Sequence, residues 1–156
     1  MLTHIEQKHL PYSPQEMFDP VVAVDLYHEF APWCVASRIN TRESDKIFYA
    51  DLVVGYKMIR ERFSSKVIAE PPQNNESGDI YIEYLKGPLQ HLKNRWRFTK
   101  AENNSCIIDF SVEFEFKNKA LQGLSQVFFR EVISRMVAAF EERAADIYGE
   151  RSLPSQ

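Results

Sequence analysis

A chain of 156 residues, 44% hydrophobic and 26% charged, fits one globular domain with a core of its own. Its net charge of −3 and pI near 5.8 do not suit unspecific binding to nucleic acid, and DNA is not expected as a partner. Two cysteines, Cys34 and Cys106, are too few for a disulfide scaffold and read as reduced, buried thiols.

The 11 Phe and 7 Tyr point to a large core or a lined cavity. No apolar run approaches the ~18 residues that span a bilayer. The segment Met1–Leu10 carries His4, Glu6, Lys8 and His9, so it has no apolar stretch of an export signal. It also lacks the Arg/Ser-rich, acid-poor look of an organelle presequence. A bacterial cytoplasmic location is expected, or a mature chain delivered elsewhere, with peripheral contact at the inner membrane.

The opening segment around Ile5 alternates partly and reads as a first strand. Ser13-Pro14-Gln15-Glu16 is a capping box with proline at the first helical position, which predicts a short helix through Phe18. Asp19-Pro20 repeats the signal and predicts a second helix to about Phe30. From Trp33 to Phe116, segments rich in Val, Ile, Phe and Tyr are separated by turns at 43–46, 55–57, 71–78, 86–88 and 103–105. That predicts six further strands in an antiparallel meander.

After Asn118, Leu121, Leu124, Phe128, Val132, Met136 and Phe140 step by three or four residues. They predict one long amphipathic helix, capped by Asn118, ended by Gly149 and roughly 40 Å long from Leu121 to Tyr148. Residues 1–150 form a single α+β domain on this reading, and 151–156 a flexible tail. The helix buries its stripe against the concave face of the sheet.

The hairpin from His91 to Phe116 is specified in detail. A turn near Asn103 sets Arg97 opposite Asp109, Lys93 opposite Glu113 and His91 opposite Glu115. On the other face it sets Trp96 opposite Phe110 and Leu92 opposite Phe114. The basic row His91, Lys93, Arg95 and Arg97 thus reads as a solvated face with cross-strand ion pairs, the alternative being a phosphate or RNA patch. Asn94 and Glu61 stand in apolar registers. Each needs a partner, either backbone, water or an arginine such as Arg135, or the polar head of a ligand.

Phosphate-binding, dinucleotide-binding and nucleophile-elbow motifs are absent, and no His or Cys has metal-ligand spacing. No cofactor or metal is expected. Cys34, in Pro32-Trp33-Cys34-Val35, reads as packing, and a nucleophile paired with a distant His is the alternative.

Several phrases resemble the coenzyme Q-binding branch of the START-like, polyketide cyclase/dehydrase superfamily. They are 27–34 (YHEFAPWC), 50–56 (ADLVVGY), 61–65 (ERFSS), 87–89 (GPL), 96–98 (WRF), 114–116 (FEF) and 136–143 (MVAAFEER) with Tyr148-Gly149. The likeness covers Thr3 to Gly149; Tyr56 and Leu89 stand where many members carry phenylalanine. It implies a helix-grip fold, a seven-stranded antiparallel sheet wrapped around the C-terminal helix. It also implies binding of ubiquinone or another polyprenyl lipid, as a non-catalytic carrier that supports respiration or quinone biosynthesis.

On that reading the ligand-facing residues are Leu52, Val54, Glu61, Phe63, Asn94, Trp96, Phe110 and Phe114 of the sheet, with Leu124, Phe128 and Met136 of the helix. Trp33 and Leu89 are expected at apolar tips that act as a lid and touch a membrane. The same branch includes ribosome-association toxins, so a module that binds the large ribosomal subunit is an alternative. A third is a cyclase or dehydratase acting on an aromatic polyketide, with Glu61 as its acid.

Overall fold

The computed structural model describes residues 1–56, 59–117, 126–127 and 130–153. Seven strands form one antiparallel sheet: β1 (Leu2–Leu10), β2 (Cys34–Arg42), β3 (Ile47–Tyr56), β4 (Ile59–Glu70), β5 (Ser77–Lys86), β6 (Leu89–Ala101) and β7 (Ser105–Phe116). Their order is β1-β7-β6-β5-β4-β3-β2, so the first strand closes onto the last and the rest follow as a meander. Helix α1 (Pro14–Val22) and a 3₁₀ turn (Val24–Glu29) lie between β1 and β2, and helix α2 (Met136–Tyr148) ends the fold. This is the helix-grip arrangement.

The β6–β7 register is the expected one, with Arg97 opposite Asp109, Trp96 opposite Phe110 and Leu92 opposite Phe114. Strict alternation along β7 buries Cys106, Ile108, Phe110, Val112, Phe114 and Phe116, which gives the sheet a continuous apolar inner face. Asn74 and Asn75 turn the chain from β4 to β5, and Asn103 and Asn104 from β6 to β7. All four have positive φ, a region that asparagine tolerates better than most residues. Gly87, at φ 153° between β5 and β6, lies against the Tyr84 hydroxyl, which a Cβ there would meet at 2.9 Å. That closeness lets the Leu89 N–H donate to the Tyr84 oxygen at 2.9 Å.

Two helical expectations are corrected. The first helix does not stop at Phe18. Pro20 lies inside α1, which runs to Val22, and the second piece is a 3₁₀ turn that starts at Val24. The C-terminal helix is interrupted. Residues 126–127 and 130–131 are helical, Ile133–Arg135 is a 3₁₀ turn, and α2 begins only at Met136. The Ser134 hydroxyl donates to the Arg130 carbonyl, the acceptor that an α-helix would give to the Ser134 N–H. Asn118, Leu121, Leu124 and Phe128 lie outside the described residues.

α2 is fastened to the rest of the molecule at several points. Lys8 of β1 meets Glu141 at 2.6 Å, and Arg143 meets Glu29 at 3.2 Å while its guanidinium covers the Phe30 ring. Past its end, the Tyr12 hydroxyl donates to the Gly149 carbonyl at 2.9 Å. Arg151, which the sequence placed in the tail, grips both carboxylate oxygens of Glu16 at 2.7 and 3.0 Å. Glu16 also closes the capping box of α1, its carboxylate accepting from the Ser13 N–H while the Ser13 hydroxyl accepts from the Glu16 N–H.

The Arg151 guanidinium holds the Glu16 carboxyl below its ordinary range, against a smaller opposing effect of burial. A carboxyl with a depressed folded-state pKa stabilises the fold above its unfolded pKa and loses that contribution as pH falls through the folded value. In urea titrations Arg151→Ala is expected to lower the unfolding midpoint at neutral pH, and this difference is expected to vanish below the carboxylate range. A difference that persists undiminished at acid pH would show that the clasp is not ionic.

Candidate ligand-binding cavity

The inner faces of β3 to β7 and the chain from Val132 into α2 line a cavity of about 140 Å³. Strand parity decides its lining. Even positions of β3, β6 and β7 and odd positions of β4 point inward. Seven expected residues line it: Leu52, Val54, Phe63, Asn94, Trp96 and Phe114 on the sheet, and Met136 on α2.

Four expected ligand contacts are placed elsewhere or not described. Phe110 is 1% exposed but stands behind Trp96, their ring centres 4.6 Å apart, and does not reach the cavity. Glu61 has inward parity on β4, yet sits beyond the lining near Tyr84, whose phenol its charge helps to push up after the larger effect of burial. Leu124 and Phe128 fall outside the described residues. Trp33 and Leu89, expected as exposed lid tips, are 7% and 3% exposed and belong to the cavity wall instead. Proline and glycine beside them suggested surface turns, whereas both side chains fold back onto the inner face.

Residues that sequence reasoning missed include Tyr27, Ser65, Val112, Val132 and Phe140. Val112, Val132 and Phe140 carried the right periodicity, but periodicity does not say which buried residue borders empty space. Tyr27 comes from the 3₁₀ turn, which has no such pattern.

The lining is almost wholly apolar, and among the described residues it contains no Asp, Glu, His, Lys or Arg. Tyr27 gives its hydroxyl to the Val21 carbonyl, and burial pushes its pKa upward, so the phenol stays protonated. Asn94 Nδ2 donates to the Ser111 carbonyl at 2.9 Å. A second hollow of about 380 Å³ opens outside, beside Phe30, Pro32, Gly55 and Arg135. Trp33 and Val132 border both spaces and form the wall between them.

The outer face has its own pattern. Arg95 and Arg97 both turn to Asp79 of β5, at 3.1 and 3.8 Å, and His91 turns to Glu113 at 3.5 Å. His91, Arg95 and Arg97 of the basic row are therefore joined to carboxylates on both neighbouring strands. Among the described residues no group of His, Cys, Asp and Glu could hold a metal, and no helix is long and apolar enough to cross a membrane.

A family model described as polyketide cyclase / dehydrase and lipid transport matches residues 10–141. The coenzyme Q-binding protein COQ10 homolog B of Xenopus laevis is 34% identical over 98% of this chain, and the chain spans 62% of that protein's length. The ribosome association toxin RatA of Rickettsia prowazekii is 30% identical over 94% of this chain and 99% of its own. Among solved structures, a START superfamily protein of Mycobacterium smegmatis superposes with a TM-score of 0.70 at 16% identity, covering 93% of this chain and 98% of that one.

Both thiols are held in their unreactive form. Cys34 Sγ donates to the Ala36 carbonyl at 3.3 Å and burial raises its pKa; Cys106 is fully buried and its thiol is pushed up to about 12. Because the thiolate is the nucleophile, iodoacetamide at pH 8 is expected to label neither residue in the folded protein and both once denaturant unfolds it. Rapid native labelling of Cys34 would instead mark it as an activated thiol.

Proposed function

The chain belongs to the polyketide cyclase / dehydrase and lipid transport family, and from that premise we propose that it binds a prenylated quinone of the ubiquinone type. On this reading it acts as a carrier that leaves its ligand chemically unchanged, in support of respiratory electron transfer or quinone biosynthesis. The observation that carries the proposal is an apolar cavity with no carboxylate or base in its described lining. Such walls offset the ~25 cal/mol per Å² that apolar surface costs in water and supply nothing to move a proton.

The volume refines the picture. A cavity of about 140 Å³ is close to the ~150 Å³ engineered cavity that accepts benzene. It is sized for a ring and not for an isoprenoid tail. The head ring then sits inside, and the tail leaves past Trp33 and Val132 along the outer hollow.

A second reading rests on one observation. The chain is matched by the Rickettsia ribosome association toxin over 99% of that protein's length. A ribosome-binding module would lose its large-subunit association as salt rises.

The two readings separate in one experiment. Protein purified from a quinone-producing host is analysed by native mass spectrometry and organic extraction. The carrier reading expects a co-purifying polyprenyl quinone. Leu52→Lys, at a half-buried lining position, is expected to lower quinone loading about tenfold or more with an unchanged circular dichroism spectrum. Ligand-free protein that sediments with large ribosomal subunits would overturn the carrier reading in favour of the second.

A further inference from the structure

Among the described residues, five that line the cavity carry polar side-chain atoms: Tyr27, Trp33, Ser65, Asn94 and Trp96. The Tyr27 hydroxyl is committed to Val21. Ser65 and Asn94 stand two strands apart on the inner face, on β4 and β6 with β5 between them. The Ser111 carbonyl fixes which end of the Asn94 amide donates, since Nδ2 gives its proton there at 2.9 Å. The other end, Oδ1, is an acceptor with no donor among the described residues, and the Ser65 hydroxyl likewise has no described partner.

We propose that Asn94 and Ser65 form the head-group subsite of the cavity, and that Asn94 selects the reduced, hydroxyl-bearing form of a quinone ring over the oxidised dicarbonyl form. This rests on the carrier reading and deepens it. Oδ1 is satisfied only by a donor. A quinol offers hydroxyl protons, whereas a quinone offers carbonyl oxygens that set acceptor against acceptor. Ser65 rotates to suit either form. The indole N–H groups of Trp33 and Trp96 can serve a hydroxyl oxygen as well as a carbonyl, so they do not discriminate. Apart from the Tyr27 phenol, committed to Val21, the rest of the described wall is hydrocarbon, so among the described residues no further group relieves a mismatch at Oδ1.

The test uses the full chain in anaerobic equilibrium dialysis with three probes: decylubiquinone, its reduced quinol, and a ring-free prenyl hydrocarbon of matching tail length. The quinol is expected to bind about tenfold more tightly than the quinone, the value of one good neutral hydrogen bond. By linkage, a tenfold preference raises the midpoint potential of the bound two-electron couple by about 30 mV, which spectroelectrochemistry reads independently of any variant. Asn94→Leu is expected to bring the quinol/quinone ratio to unity, and Ser65→Ala to weaken both ring forms alike. Equal or tighter binding of the quinone by the unaltered protein, or a ratio that survives Asn94→Leu, would overturn the subsite. The carrier reading would stand in that case if the hydrocarbon still binds. Failure of all three probes to bind would overturn both.

Discussion

Phe140 is the contact on which the rest of the molecule depends. Its ring lies 5.2 Å from Trp96 on the sheet, 5.1 Å from Tyr27 and 5.3 Å from Phe30, centre to centre. One side chain thus joins the last helix, the middle of the sheet and the segment after α1, elements far apart in sequence. Aromatic rings resist compression, so Phe140 also sets how close α2 comes to the sheet. Towards the C-terminus of α2, fully buried Ala144 lets the helix approach, and Phe18 and Phe98 pack edge to face at 5.8 Å nearby in the core. Towards its N-terminus, Met136 and Ile133 leave a gap. The same ring divides a filled half of the interior from a hollow half.

That division explains what the sequence could and could not reveal. Alternation along β6 and β7 fixed the register residue by residue, because a shift of one position would put Phe110 and Phe114 in water and Asp109 and Glu113 in the core. Alternation gives the face and not the depth. Phe110 and Phe114 have the same parity, yet Trp96 screens the first and leaves the second against the cavity. Glu61 shares the parity of Phe63 but lies past the end of the hollow. The helix interruption was invisible for a related reason. The apolar stripe continues through Val132 and Met136, while at the break the Ser134 hydroxyl takes a backbone carbonyl, a contact that periodicity does not register.

The outer face shows how register and pairing differ. Arg97 stands opposite Asp109 in β7, as alternation implies, and also opposite Asp79 in β5. A long guanidinium side chain reaches either neighbour, and here two arginines converge on Asp79 while Asp109 accepts from Gln7 of β1. Each such exposed pair contributes only ~0–1 kcal/mol, so the choice between strands is nearly free energetically. Sequence pattern therefore predicts the rows of charge reliably and the individual partners poorly.

The hollow half of the interior carries a polar group that packing alone does not call for. A leucine at position 94 would continue the apolar lining, whereas half-buried Asn94 sets an amide oxygen with no described donor into it. Local conflicts of this kind collect at functional sites, and this one stands in a stretch of the inner face that borders empty space. The wall of that space is thin in one place, where Trp33 and Val132 separate the cavity from the outer hollow. Beside Val132 the α-helical ladder is broken at Ile133–Arg135. Among the described residues the break in the C-terminal helix therefore lies next to the Trp33–Val132 wall, through which a ring-sized cavity could communicate with a tail too large to fit inside it.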